Sequence, residues 1–154
     1  MHVRQKLREA AASAVMGLST TGPRVFENRT VIEYGIPDAQ LPCLIVYSEG
    51  ESVDLAAAGR KQGGARLQQR EVDLKIVAVA KKGDDVEDLL DTIAEEVEGA
   101  VLVDRTLGGL ARDTQLTGLQ TMFGTSQQTW GAIQLTFTTG VITREGEPDR
   151  HFQN

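Results

Sequence analysis

Residues 129–143, TWGAIQLTFTTGVIT, alternate along almost their whole length. Ile133, Leu135, Phe137, Thr139 and Val141 fall on one side of an extended chain, and Ala132, Gln134, Thr136 and Thr138 on the other. A repeat of two is the signature of a strand, since same-side positions of a helix recur every 3.6 residues. Held straight, the segment would span roughly 50 Å. That is long for the core of a 154-residue domain. A strand that outruns its own core usually meets another subunit, and glycines 108, 109, 118, 124 and 131 allow bends or bulges there.

A second segment repeats the pattern. In REVDLKIVAVAKK (70–82), Val72, Leu74, Ile76, Ala78 and Ala80 share a face opposite Glu71, Asp73 and Lys75, and Val77 and Val79 then bury the second face as well. CLIVYS (43–48) is almost entirely apolar and reads as a central strand. RVFENR (24–29) reads as a short strand, and 110–123 has strand composition with poor alternation. Residues 49–65 lack periodicity and read as an exposed loop.

Two segments carry helical spacing instead. Val3, Leu7, Ala10, Ala11, Ala14, Val15 and Leu18 form one stripe, ended by Gly17 and TTGP. Val86, Leu89, Leu90, Ile93, Ala94, Val97, Ala100 and Val101 form another, on a helix running to about Val103. The order of elements is helix, two strands, loop, strand, helix, two strands. This predicts an α+β fold, a mainly antiparallel or mixed β-sheet with two α-helices packed on one face. Residues 1–145 form its single domain, followed by a polar tail, 146–154, that frays.

The second helix also carries eight acids within residues 84–100. They occupy the positions its apolar stripe leaves free, so a solvated face accounts for them. Asp84 or Asp85 is placed to cap the first turn, with Asp88 as the second half of a capping box. The spacing is not that of a calcium loop, and no glycine makes the required turn.

Lysine and arginine total 16 against 22 acids, a net charge of −6 that disfavours general nucleic-acid binding. The distribution is uneven. Arg60, Lys61, Arg66 and Arg70 give residues 60–70 a local +4, whereas residues 71–104 hold eleven acids and three lysines, a local −8. The four cations are candidates for a partner interface, together with the 49–65 loop; a solvated loop is the competing reading.

Catalytic patterns are missing from the sequence. His2 and His151 lie near its two ends, in positions expected to be flexible, and no His/Cys cluster has metal-ligand spacing. No Ser–His–acid set, P-loop or dinucleotide fingerprint occurs. The expectation is a protein that is not an enzyme and uses no cofactor and no metal. The single cysteine, Cys43, cannot form an internal disulfide and reads as a buried, inert thiol. No apolar run approaches membrane-spanning length.

The whole pattern resembles a known family. VRQKLREAAASAV is followed by PRVFENR, LPCLIVYSEGE, QQREVDLKIVAVAKKGDDVEDLLDTIAEEVEGAV, RTLGGLARDTQLTGLQ and WGAIQLTFTTGVITR. In element order, and in phrases of the DDLxDxIxxEVExA and LGGLxxDxxLxG kind, residues 1–145 are similar to the tail terminator proteins of long-tailed bacteriophages, the minor tail protein U type. The resemblance implies a homo-oligomeric ring, a hexamer, that caps the tail tube. Such a ring ends polymerisation of the tube protein and offers a surface to the head connector or neck protein. DNA passes through its lumen without specific binding, and no membrane is involved. The location implied is the tail or neck of the virion, after assembly in the host cytoplasm. The family places sheet nearer the channel, which puts the acidic helix outside and makes Asp113 a candidate lumen acid. The alternatives are a tail-tube subunit or another neck protein and, from a different class, a small enzyme or ligand-binding module.

Overall fold

In the computed structural model of the protein, residues 1–27, 35–55, 66–123 and 130–152 are described. The fold is α+β. The helices are α1 (Val3–Ala14) and α2 (Val86–Leu102), and a 3₁₀ turn spans Asp38–Gln40. The strands are β1 (Val25–Phe26), β2 (Cys43–Leu55), β3 (Leu67–Lys81), β4 (Asp113–Phe123), β5 (Trp130–Arg144) and β6 (Glu147–Phe152). They form one curled, mixed sheet in the order β1-β2-β3-β5-β4, with β6 also pairing β5. Among the described strands, β1 with β2 is the only parallel pair.

Both helices pack on the same face of the sheet. Val3, Leu7 and Val15 from the first helical segment and Leu90, Ile93 and Val97 from α2 meet Leu74, Ile76, Leu135 and Phe137 in a single cluster. The alternation of β3 and β5 therefore has the sense expected. Six of the eight acids in 84–100, Asp84, Asp85, Glu87, Asp88, Asp91 and Glu95, are exposed, while Glu96 accepts a hydrogen bond from the Thr20 hydroxyl (3.1 Å). Asp85 occupies the N-cap position of α2, but its side chain makes no capping bond. His2, in contrast, is the N-cap of α1. Its Nδ1 accepts from the Arg4 N–H (3.1 Å) and its carbonyl from Gln5 and Lys6, so it is tied to the helix rather than loose.

Two expectations are corrected, and one irregularity is explained. Residues 49–55 belong to β2, which shifts register between Ser48 and Gly50; only 56–65 remain of the expected loop, and these lie outside the described residues. The poor alternation of 110–123 comes from a bulge between Leu116 and Gly118, an extra residue that inverts the phase of β4. The expected fraying tail instead contributes β6, antiparallel to β5. Phe152 lies under the guanidinium groups of Arg144 (5.2 Å) and Arg150 (5.9 Å), and the Asp149 carbonyl accepts from Lys6 Nζ on α1 (2.6 Å).

The turn that leaves α2 is organised by one carboxylate. Asp104 accepts from the Thr106 N–H (3.0 Å), the Thr106 hydroxyl (2.6 Å) and the Gly108 N–H (2.9 Å). This holds Leu107 at φ +48°, an unusual value for a bulky residue, with its side chain in the core. The Thr106 hydroxyl, followed by the two backbone bonds, lowers the Asp104 pKa below its ordinary 3.8. Because the folded value is the lower one, the stabilisation is present above about pH 4 and is lost as pH falls through the folded value. Asp104→Asn should therefore lower the melting temperature at neutral pH, and the gap to the parent should close in strong acid. Melting curves recorded across pH check this; a gap that persists unchanged into acid would show that the charge is not the cause.

Candidate interaction surface

The sheet face away from the helices has two parts. At one end Cys43, Ile45, Tyr47, Val77, Val79 and Ala132 form a second, small core covered by Phe26, Ile36, Leu41, Met122 and Trp130. The sequence already shows this end as the continuous apolar runs of β2 and β3.

Beyond it the same face turns polar, as register dictates. Lys75 lies beside Tyr47 and Thr136, Asp73 beside Gly50 and Thr138, Glu71 beside Ser52 and Gly140, and Asp113 pairs with Gly140 from the far side. These groups bond laterally. Lys75 Nζ donates to the Thr136 hydroxyl (2.8 Å), and the Thr138 hydroxyl donates to Asp73 (2.9 Å) and shares a hydrogen bond with the Thr117 hydroxyl (3.0 Å). The Tyr47 hydroxyl donates to Gln134 (3.2 Å). A hollow of about 400 Å³ lies at this end, lined by Gln69, Glu71, Arg112, Asp113, Gln115, Thr138 and Gly140. Asp113 is about half exposed; it accepts from the Gln115 amide (2.9 Å) and lies 4.0 Å from Arg105. The surface is thus a lattice of hydroxyls, amides and carboxylates with Lys75 and Arg112 among them.

The four candidate cations are not brought together as a group. Arg60 and Lys61 lie outside the described residues. Arg66 is exposed at the start of β3. Arg70 points to the helix side, where its Nη1 is 2.6 Å from Glu51 and its Nε donates to the Thr143 hydroxyl (2.8 Å). Both members of this ion pair are nearly buried, at 12% and 13% exposure, and Arg4 approaches Glu51 to 3.7 Å. Arg70 is thus committed inside its own chain. The residues that make up the polar face are visible in the sequence as the alternate positions of β3 and β5; their neighbours across strands are not, because register is not a local property.

Among the described residues no group of three His, Cys, Asp or Glu side chains is placed to hold a metal ion. Among the same residues no helix is long and apolar enough to cross a membrane. Cys43 is fully buried, and burial, partly offset by Arg24, raises its thiol pKa from 9.0 to about 11. At pH 8 about one thiol in a thousand is then ionised, against about one in ten in the unfolded chain. Alkylation should accordingly be slower in the native protein by roughly a hundredfold or more, with burial adding to the effect. Timed thiol labelling with and without denaturant measures it, and equal rates would contradict the buried placement.

These features define a class: a one-layer sheet protein with helices on one face and an open polar lattice on the other. No protein-family model matches the chain, and no curated protein matches it.

Proposed function

We propose that this chain is a structural subunit of a phage tail, a tail terminator that assembles into a ring.

 The polar sheet face lines its lumen, and α1 and α2 lie outside. The observation that carries this reading is the asymmetry of the sheet. One face is closed by both helices, while the other presents hydroxyls, amides and the carboxylates of Glu71, Asp73 and Asp113 on strands of 11 to 15 residues. Such a wall suits DNA in transit. Lysine and arginine facing a duplex add affinity that does not depend on sequence, and acids remove it. Lys75 is held laterally by Thr136, which keeps its ammonium close to the sheet. The resemblance in element order over residues 1–145 supplies the rest: six copies, contact with the tail-tube protein below and the head connector above, and a place at the neck of the virion. The role needs no cofactor and no substrate.

The test uses the purified full chain, alone and mixed with tail tubes. Native mass and electron microscopy should show closed rings, and tubes capped by the protein should stop growing. Long tubes built from this chain alone would favour the tail-tube reading instead. A monomer at every concentration, with tubes present or absent, would defeat both.

A further inference from the structure

We propose that the outer edge of β4 is a seam at which a second copy of this chain adds a strand other than its own β4. The inference rests on the ring reading and gives it an address. β4 pairs with β5 along 113–123, and among the described residues no strand pairs with its other side. An open edge of this length is a ready template for another chain, and proteins normally guard such edges with lysine, proline or charge. Here lysine, proline and charge are missing, and the one guard is the bulge between Leu116 and Gly118. Residues 114–123, TQLTGLQTMF, contain no charged residue and no proline. β6, the other strand on this side of β5, carries Pro148, Asp149 and Arg150 within six residues.

Two further observations bear on how the edge is used. The bulge between Leu116 and Gly118 turns the Thr117 hydroxyl toward Thr136 and Thr138, which leaves Leu119 onward as the regular stretch. Leu119 is 50% exposed on that stretch, an apolar side chain that an added strand would cover. The occupant is a second copy because of charge. Two chains of net charge −6 repel over most of their surfaces, and residues 114–123 add no charge of their own to that repulsion, with Glu87 and Asp91 of α2 in the hollow beside Thr121. The contact is heterologous, since a β4–β4 pair would close a two-fold dimer and stop there.

The experiment compares the parent with Leu119→Lys and Thr121→Lys, each as the full chain, by sedimentation and by amide hydrogen exchange. Both positions are exposed, so the variants should melt with the parent. A lysine at the seam must lose its water on assembly, so the protein concentration needed for rings should rise roughly tenfold or more. In the parent, β4 amides should exchange more slowly in rings than in dilute monomer. Variants that form rings as readily as the parent would overturn the seam and leave the ring reading standing. So would β4 amides that gain no protection in rings, or gain it only when tail tubes are added, which would make the tube the partner. A species that stops at dimers would overturn the heterologous contact. A parent that never assembles would remove the seam and the ring together. If a variant melts below the parent, the exchange measurement on the parent decides alone.

Discussion

Phe137→Ala is expected to destabilise the fold by about 3–5 kcal/mol, the usual range for removing a buried aromatic side chain. Phe137 is fully buried in the middle of β5, between Leu74 on β3 and Leu116 on β4, and belongs to the cluster that joins the sheet to both helices. Its ring lies where the most buried strands and the helical layer meet, so collapse into the space would require the sheet and the helices to move together. Domains of this size are stable by about 5–15 kcal/mol, so the loss takes a large share of the total. Denaturant unfolding at unchanged slope measures it. Asp91→Ala, on the solvated side of α2, should stay within about 0.5 kcal/mol under the same conditions. A Phe137 variant as stable as the Asp91 variant would mean that the helical layer does not rest on β5 as described.

Arg70→Ala should cost about 2–3 kcal/mol, because it strands polar groups that can no longer reach water easily. Glu51 would lose its 2.6 Å partner while remaining nearly buried, and the Thr143 hydroxyl, on a fully buried residue, would lose its donor. Arg4, at 3.7 Å and half exposed, is too loosely placed to replace Arg70. The pair straddles β2 and β3 and fixes the register of the β2 segment beyond its shift at Ser48–Gly50. Arg70→Ala together with Glu51→Ala should recover part of the loss, since removing both partners leaves no stranded charge. If Arg70→Ala left stability unchanged and weakened assembly instead, the residue would belong to a partner surface, as its place in the basic run of the sequence suggested.

Much of the fold is local enough to be read from the chain. The period of two in 70–82 and 129–143 specifies two strands and says which of their faces is buried, because a strand cannot present alternate residues any other way. The 3.6-residue stripes specify two helices and leave the acids of α2 in water. The same alternation puts Glu71 and Asp73 on the polar side of one strand and Thr136 and Thr138 on the polar side of another, but not beside each other, which register decides. Where alternation fails, the cause is tertiary. The register shift at Ser48–Gly50 and the bulge at Leu116–Gly118 invert the phase within a strand, so 49–55 reads as loop and 110–123 as irregular. β6 carries a proline and charged residues that suit an edge, and it is held by Arg144 and Lys6 from elsewhere in the chain. Arg70 shows the same limit at a single side chain. The sequence displays its charge and its basic neighbours, but the carboxylate that neutralises it lies nineteen residues away on another strand, and only strand pairing brings the two together. Periodicity is a property of consecutive residues and survives in the sequence; register and ion pairing depend on which strands meet, and that is decided when the whole core packs.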